Sequence, residues 1–576
     1  MWKAVWFGLF CVLVAGTYAQ QPVPVPGPGA TGAAAGKQKG SQGTLSVTVV
    51  EKGTKLPMEG ALLSVVGPNG SEIQTQTDNL GKFTSSFPPG SYRLTVRRRI
   101  ATGNVGMPAG KVASIKDNEE TKVELEVPKT ALVRGTVTDA RGQPANNVRI
   151  TLLMRAYEVW SDRAIYQNTP MIVQTNDIGE YTMENVPTGL PFYVYAEPMP
   201  SDSEPYAAEP ADPARRRPIN AATFYPAATD AGAAQTVIFS EGEQRDGLNI
   251  TMARTASYCV EDKVLPQPPA GIKYSISVDV VEVNGGVFND YGSYRSGRTI
   301  QLNDPGKARV CGLWPGSYRY TIQPQGREPQ GTAFIGSGEF QIKDTDLSRL
   351  VVNSSTTFDT EGELVIEGPQ PAESINTKFS LNMIGLTTTA GGAGAETGIP
   401  GTFTFHGLHA DRYALRVTPV PDGWYIKSIL YGKEDLAQRT ARFVLDKPGA
   451  PLKVVMRTDG ARFHINVTDK KGESLIGQSV LVVRAGLMTS PQRLVGTMMT
   501  GYSDARGEIS AFTLVNQPPR AVLAPGEYYV LATDIPVNQT ADVLESVWRT
   551  LQSDATRVTL QPSETGQVTV KLVTLR

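Results

Sequence analysis

The chain has 576 residues, 40% of them hydrophobic and 19% charged, which supplies packed cores and excludes wholesale disorder. Lys and Arg total 55 against 56 Asp and Glu, a net charge of −1, so no global basic excess points to nucleic acid or an anionic membrane. Three histidines and three cysteines leave little material for zinc or imidazole chemistry, and the length suits about four to six domains.

Lys3 precedes an apolar run from Ala4 to Ala15, closed by Thr17-Tyr18-Ala19. This predicts a secretory signal peptide over residues 1–19; the run is short for a membrane span of about 20 residues. No later segment reaches that length, so no transmembrane anchor is expected after cleavage. Residues 20–43, rich in Pro, Gly and Ala, predict a flexible tether.

From residue 44 the period is two. Val148, Ile150 and Leu152 alternate with Arg149 and Thr151; Phe463, Ile465 and Val467 alternate with His464 and Asn466. Such alternation marks half-buried strands. The turns Asp78–Gly81, Asp139–Gly142, Asn176–Gly179, Asp469–Gly472 and Asp504–Gly507 share Asp or Asn first and Gly last. The side-chain oxygen caps the turn and the Gly takes positive φ. A second signal, Pro89-Gly90-Ser91-Tyr92, Pro315-Gly316-Ser317-Tyr318 and Pro525-Gly526-Glu527-Tyr528, predicts a type II turn opening a strand. Its inward residues are Tyr92, Leu94, Val96; Tyr318, Tyr320, Ile322; and Tyr528, Val530, Ala532. Looser copies run from Tyr193 and from Tyr413.

Five closing strands predict an all-β fold, a tandem array of about five immunoglobulin-like or transthyretin-like β-sandwiches. The expected boundaries are 44–128, 129–254 (with inserts at 157–171 and 198–218), 255–355, 356–457 and 458–576, each a separable module. One helix is expected in the last, with Leu544, Val547, Trp548 and Leu551 on one face behind a Thr540 cap.

Arg134-Gly135-Thr136-Val137-Thr138-Asp139-Ala140-Arg141-Gly142, then Thr175 to Tyr181 and Val186-Pro187-Thr188-Gly189, resembles a carboxypeptidase regulatory-like domain, a transthyretin-like sandwich that recurs in bacterial exported proteins. Leu56 to Ala61 with Pro89 to Tyr92 is similar to the related collagen-adhesin B-type repeat. The third domain lacks the opening Gly-x-Val-x-Asp-x-x-Gly pattern. The resemblance implies a repeat protein of the exported type; its motifs are turn and strand signatures, which specify fold rather than function.

A peptidase would need His and Glu around an open zinc position. The mature chain offers His406, His409 and His464 without that spacing, and no nucleophile elbow occurs. Asp344-Thr345-Asp346 lacks the rest of a calcium loop and reads as a solvated turn. Arg97–Arg99 and Arg215–Arg217 read as solvated basic loops. For sugar stacking the best aromatic group is Tyr157, Trp160 and Tyr166 in the second domain; Trp314 reads as core.

Two cysteines remain after cleavage, Cys259 and Cys311. An even count in an exported chain predicts a disulfide, either across the sandwich or at its edge, contributing roughly 3–4 kcal/mol in the chain-entropy model. The expected protein is therefore non-enzymatic, without catalytic, cofactor or metal residues, and either periplasmic, outer-surface or secreted. It would be a structural or adhesive component with an envelope or surface protein, or a polysaccharide, as partner. The alternatives are a carbohydrate-binding protein using exposed aromatics, and an accessory subunit of a peptidase.

Overall fold

The computed structural model describes residues 42–575 apart from 68–71, 101–102, 158–163, 200–209, 211, 263–273, 284–285, 288–297, 303–307, 325–334, 348–353, 356–357, 369–376, 386–391, 409–410, 437–441, 446–450, 488–489, 505, 515–519 and 534–539. The signal peptide, most of the tether, Trp160 and His409 lie outside the described residues.

The fold is an array of β-sandwiches, and one closure recurs in it. The strand that begins a sandwich pairs in parallel with the one that ends it. Gly43–Glu51 runs beside Glu120–Val127, with Thr44 opposite Glu120 and Glu51 opposite Val127. Ala131–Thr138 takes Gln244–Arg245 and Ile250–Thr251. Phe358–Ile366 takes Leu452–Arg457, and Ala461–Thr468 takes Thr565–Val573. In the third region the same relation is seen, among the described residues, as one parallel bridge, Val260 to Leu347.

The alternating residues point inward as their period dictates. Phe463, Ile465 and Val467 are fully buried, as are Leu45, Leu63 and Leu94 of the first core. All five Asp/Asn turns are built alike. The Oδ1 of Asp78 accepts from the amides of Leu80 and Lys82. Asp139 caps Arg141 and Gln143, Asn176 caps Ile178 and Glu180, Asp469 caps Lys471 and Glu473, and Asp504 caps Arg506 and Glu508. Their closing glycines sit at φ between +70° and +90°, a region costly to residues with a Cβ.

The Pro-Gly signal works differently from the expected type II turn. Gly90 and Gly526 have φ of +156° and +148°, far from the roughly +80° of a type II third position, and each opens its strand. What recurs is a tyrosine corner. Tyr92 donates its hydroxyl to the Pro88 carbonyl at 2.9 Å, Tyr318 to Trp314 at 2.6 Å and Tyr528 to Ala524 at 2.6 Å. Each acceptor lies four residues upstream, so the ring fills the core while its polar end is satisfied.

Two sheets are buried on both faces. In the second sandwich, Val148–Tyr157 and Pro191–Pro198 send Ile150, Leu152, Phe192, Val194 and Ala196 into one core. Their opposite residues Leu153 and Tyr195 enter another core, which contains Ile276, Trp314, Tyr318 and Tyr320 of the third region. The second and third sandwiches thus share hydrophobic packing, contrary to the expectation of separable modules. Likewise Ser479–Arg484 and Gly526–Thr533 of the fifth sandwich bury Val480, Val482 and Val530 on one side. Their other side, with Leu481, Val483 and Leu531, is covered by the helices Pro491–Thr497 and Ala541–Asp554. Leu544, Val547 and Leu551 are buried and Trp548 packs beside them. Thr540 occupies the cap position without a side-chain capping bond. The shorter helix was not anticipated. Ser490 precedes its Pro491 and accepts from the Arg493 amide at 3.4 Å, the usual arrangement for a proline in the first turn. The stretch expected as an insert from 157 to 171 belongs instead to a long hairpin, Val148–Tyr157 with Ala164–Gln174. Among the described residues, no helix is long and apolar enough to cross a membrane.

Candidate functional site

Of the aromatic group expected for sugar stacking, Tyr157 and Tyr166 are among the described residues, and both are buried. Tyr157 is buried with Leu544, Val547 and Leu551 against the C-terminal helix. Its hydroxyl donates to Glu545, and Arg155 lies 3.5 Å from the same carboxylate. Burial first, then the Glu545 carboxylate, pushes the Tyr157 hydroxyl up to about 12. Tyr166 is buried in the core shared by the second and third sandwiches, its ring edge-on to Tyr193 at 4.9 Å. Burial, with Tyr193 second, raises it to about 12 as well. Both rings are buried, so neither offers a face on which a sugar could stack. Trp314 is core, 3% exposed.

Two histidines are described. His406 is exposed on the strand Gly401–Leu408, and its Nδ1 lies 2.8 Å from Asp359 Oδ2. That contact and the Gly407 amide hold the Asp359 carboxyl below its usual range. His464 lies half-exposed between buried Phe463 and Ile465. No group of three or more His, Cys, Asp or Glu side chains among the described residues could hold a metal ion.

Two segments read as solvated loops instead meet in a buried ion pair. Arg216, in the middle of the basic run, has a side chain 2% exposed. Its guanidinium forks onto both carboxylate oxygens of Asp346 at 2.6 Å, and donates to the carbonyls of Pro210 at 2.8 Å and Ser257 at 3.3 Å. Asp346 also accepts from the Cys259 amide at 2.9 Å. The Arg216 contact chiefly, aided by the Cys259 amide against a burial cost, holds this carboxyl below its usual range. The basic run and the acidic turn, both read from sequence as solvated, contribute complementary halves of one joint.

Cys259 and Cys311 lie next to one another on the adjacent antiparallel strands Tyr258–Asp262 and Ala308–Leu313, their sulfurs joined in a disulfide. Of the two geometries considered, this is the same-sheet one. The Cys259 carbonyl accepts from the Leu347 amide at 3.0 Å.

One cleft, of about 150 Å³, lies between the first and fifth sandwiches. Arg93 of the first stacks over the Tyr502 ring of the fifth at 4.4 Å. The cleft carboxylates Asp504 and Glu508 face Arg506 at 3.7 and 3.0 Å. This arrangement ties two sandwiches together; it assembles no nucleophile, general base or oxyanion donor set.

No family model matches the chain, and no curated protein matches it. Solved structures similar to parts of it include a minor pilin of Streptococcus agalactiae, 11% identical over 37% of this chain and 96% of that one, with a TM-score of 0.23. A streptococcal ancillary pilin is 15% identical over 55% and 99%, TM-score 0.17. The major pilin subunit of Bacillus cereus is 10% identical over 92% and 99%, TM-score 0.14. Likenesses at these scores carry no argument about activity or partners.

Proposed function

We propose that the chain is an exported, non-enzymatic structural or adhesive protein of the cell envelope or surface, built as a scaffold of carboxypeptidase regulatory-like and related sandwiches. The observation that carries this reading is where the reactive side chains go. Tyr157, Tyr166, the corner tyrosines Tyr92, Tyr318 and Tyr528, His406, Arg216 and Asp346 are engaged in internal contacts. The repeated turn and corner devices serve the same end. Exposed turn tips such as Leu80 and Ile178, 57% and 61% exposed, are then the parts offered to a partner, in keeping with the general role of loops on rigid frames. The fitting partner is another envelope or surface protein, with polysaccharide as the competing outcome of the test.

The experiment is fractionation of intact cells with protease shaving, followed by capture of envelope components on the purified mature chain. The proposal expects N-terminal processing near Ala19, protease accessibility on intact cells or in the periplasm, and saturable capture of an envelope protein. Retention in the cytosol with an uncut N-terminus would overturn the location. Chelator-sensitive cleavage of peptide substrates by the pure protein would overturn the non-enzymatic reading.

A further inference from the structure

Cys259 stands where four separate ties converge. Its sulfur meets Cys311 on the neighbouring strand. Its amide donates to Asp346 and its carbonyl accepts from Leu347. Two residues earlier, the Ser257 carbonyl accepts from Arg216, and Arg216 belongs to the second sandwich's polypeptide just before Ile219–Asn220. Among the described residues the sheet holding Cys259 has two strands, paired at Tyr258–Leu313, Val260–Val310, Glu261–Arg309 and Asp262–Ala308. A two-stranded sheet has little stability of its own. Yet Val260, Val310 and Leu313 share a core with Phe224, Tyr166 and Tyr195 of the second sandwich.

We infer that the Cys259–Cys311 bond is a redox-sensitive pin that keeps the second and third sandwiches locked as one body through the Arg216–Asp346 joint. With the bond closed, the Tyr258–Asp262 strand is fixed, so the Cys259 amide holds Asp346 where the Arg216 fork can reach it. Reduction breaks the S–S bond. Two electrons and two protons pass from a dithiol reductant, which becomes its own disulfide, and two thiols are left. The strand pair then rests on its backbone rungs and on the core contacts of Val260, Val310 and Leu313, the Cys259 amide is no longer fixed against Asp346, and the Arg216 fork onto that carboxylate loosens. The effect therefore travels out of the third region into the second, along contacts that have two states, made and unmade.

Amide hydrogen exchange by mass spectrometry on the full mature chain tests this, comparing oxidised protein, protein reduced with dithiothreitol, and the Cys259→Ser/Cys311→Ser variant. Peptides covering 216–224 and 308–322 are expected to exchange about tenfold faster or more once the bond is open, as local opening becomes easier. Peptides covering 461–468 should not change. Acceleration confined to 258–262 and 308–313 would overturn the inference, as would intact protein that gains no hydrogens on reduction. Should the double variant not be recovered folded, Asp346→Asn with the disulfide intact gives the second reading. It must accelerate exchange at 216–224, and an unchanged 216–224 peptide would sink the joint.

Discussion

The Arg216–Asp346 pair is lopsided, and that asymmetry makes a quantitative prediction. The Arg216 side chain is 2% exposed and that of Asp346 is 29% exposed. Replacing Asp346 with Asn keeps the shape but removes the carboxylate that the buried guanidinium forks onto, and breaking a buried pair from that side costs about 3–5 kcal/mol. Replacing Arg216 with Met leaves a carboxylate that still sees water and keeps the Cys259 amide, so the cost falls to about 1–3 kcal/mol. The Arg216→Met/Asp346→Leu double variant should be more stable than Asp346→Asn alone, since it removes the buried charge together with the carboxylate it faced. Urea unfolding with the transition followed by exchange of the 216–224 and 308–322 peptides reads the difference. A gap of about 2 kcal/mol displaces the midpoint by about 1 M. The pH dependence has a fixed sign. Asp346 titrates lower in the folded than in the unfolded chain, so its contribution is complete above the unfolded carboxylate value near 4 and is lost as pH falls through the folded value. The advantage of wild type over Asp346→Asn should therefore shrink in acid below about pH 4 and stay constant toward neutrality. Equal costs for the two single variants, or a wild-type advantage that grows in acid, would refute the reasoning.

Gly142 and Gly179 share φ of +77°, but a Cβ on Gly142 would meet nothing within 4 Å, while one on Gly179 would lie 2.5 Å from the Val137 carbonyl oxygen. Gly142→Ala should cost about 1 kcal/mol for the left-handed backbone, and Gly179→Ala clearly more; chemical denaturation showing equal effects would contradict the close approach. Removing one corner hydroxyl, as in Tyr92→Phe or Tyr528→Phe, should cost about 0.5–1.5 kcal/mol by orphaning a carbonyl, and calorimetry showing no loss would show that water replaces the bond. Leu544→Ala, at a fully buried helix position, should cost about 2–5 kcal/mol. Because Tyr157 packs on the same helix, that change should also quicken exchange in the 148–157 strand; exchange altered only in the helix would separate the two elements.

Much of this architecture is legible in the chain. Phe463, Ile465 and Val467 alternate and are fully buried; the Asp/Asn-x-x-Gly turns announce their own caps. The strands buried on both faces were harder. Looking for alternation selects one face, so Ile150 and Leu152 stand out while Leu153 does not; the period from Tyr193 to Tyr195 selects the wrong face, since Phe192, Val194 and Ala196 fill the second sandwich's core and Tyr195 enters the core shared with the third region. The signal was present as doubled apolar positions, Leu152-Leu153, Phe192 through Ala196, and Val480 through Val483, which mark strands covered on two sides. The Arg216–Asp346 joint had no such trace. Its halves are 130 positions apart, and a basic run and an acidic turn look solvated until tertiary folding brings them together. Tyr157 and Tyr166 read as exposed for a related reason: the helix that covers Tyr157 lies nearly 400 positions downstream, and the core that takes Tyr166 is completed by residues of the third region such as Ile276 and Trp314.

The parallel closure of each sandwich has a mechanical meaning. The first and last strands run the same way, so the chain enters at one end of the sandwich and leaves at the other. Tension on the chain then pulls those two strands in opposite directions along their length, loading every rung between them at once instead of opening them one by one. The first sandwich carries eight such rungs, from Thr44 to Glu51, and the fifth carries seven, from Arg462 to Thr468. Among the described residues the third region shows the single bridge from Val260 to Leu347. Pulled from its ends, the protein should yield at the third region before the first or fifth. There the cystine withholds the 52-position loop between Cys259 and Cys311 from the length released. Single-molecule extension with and without reductant measures that release, and a third-region step of unchanged length on reduction would remove the cystine from the load path.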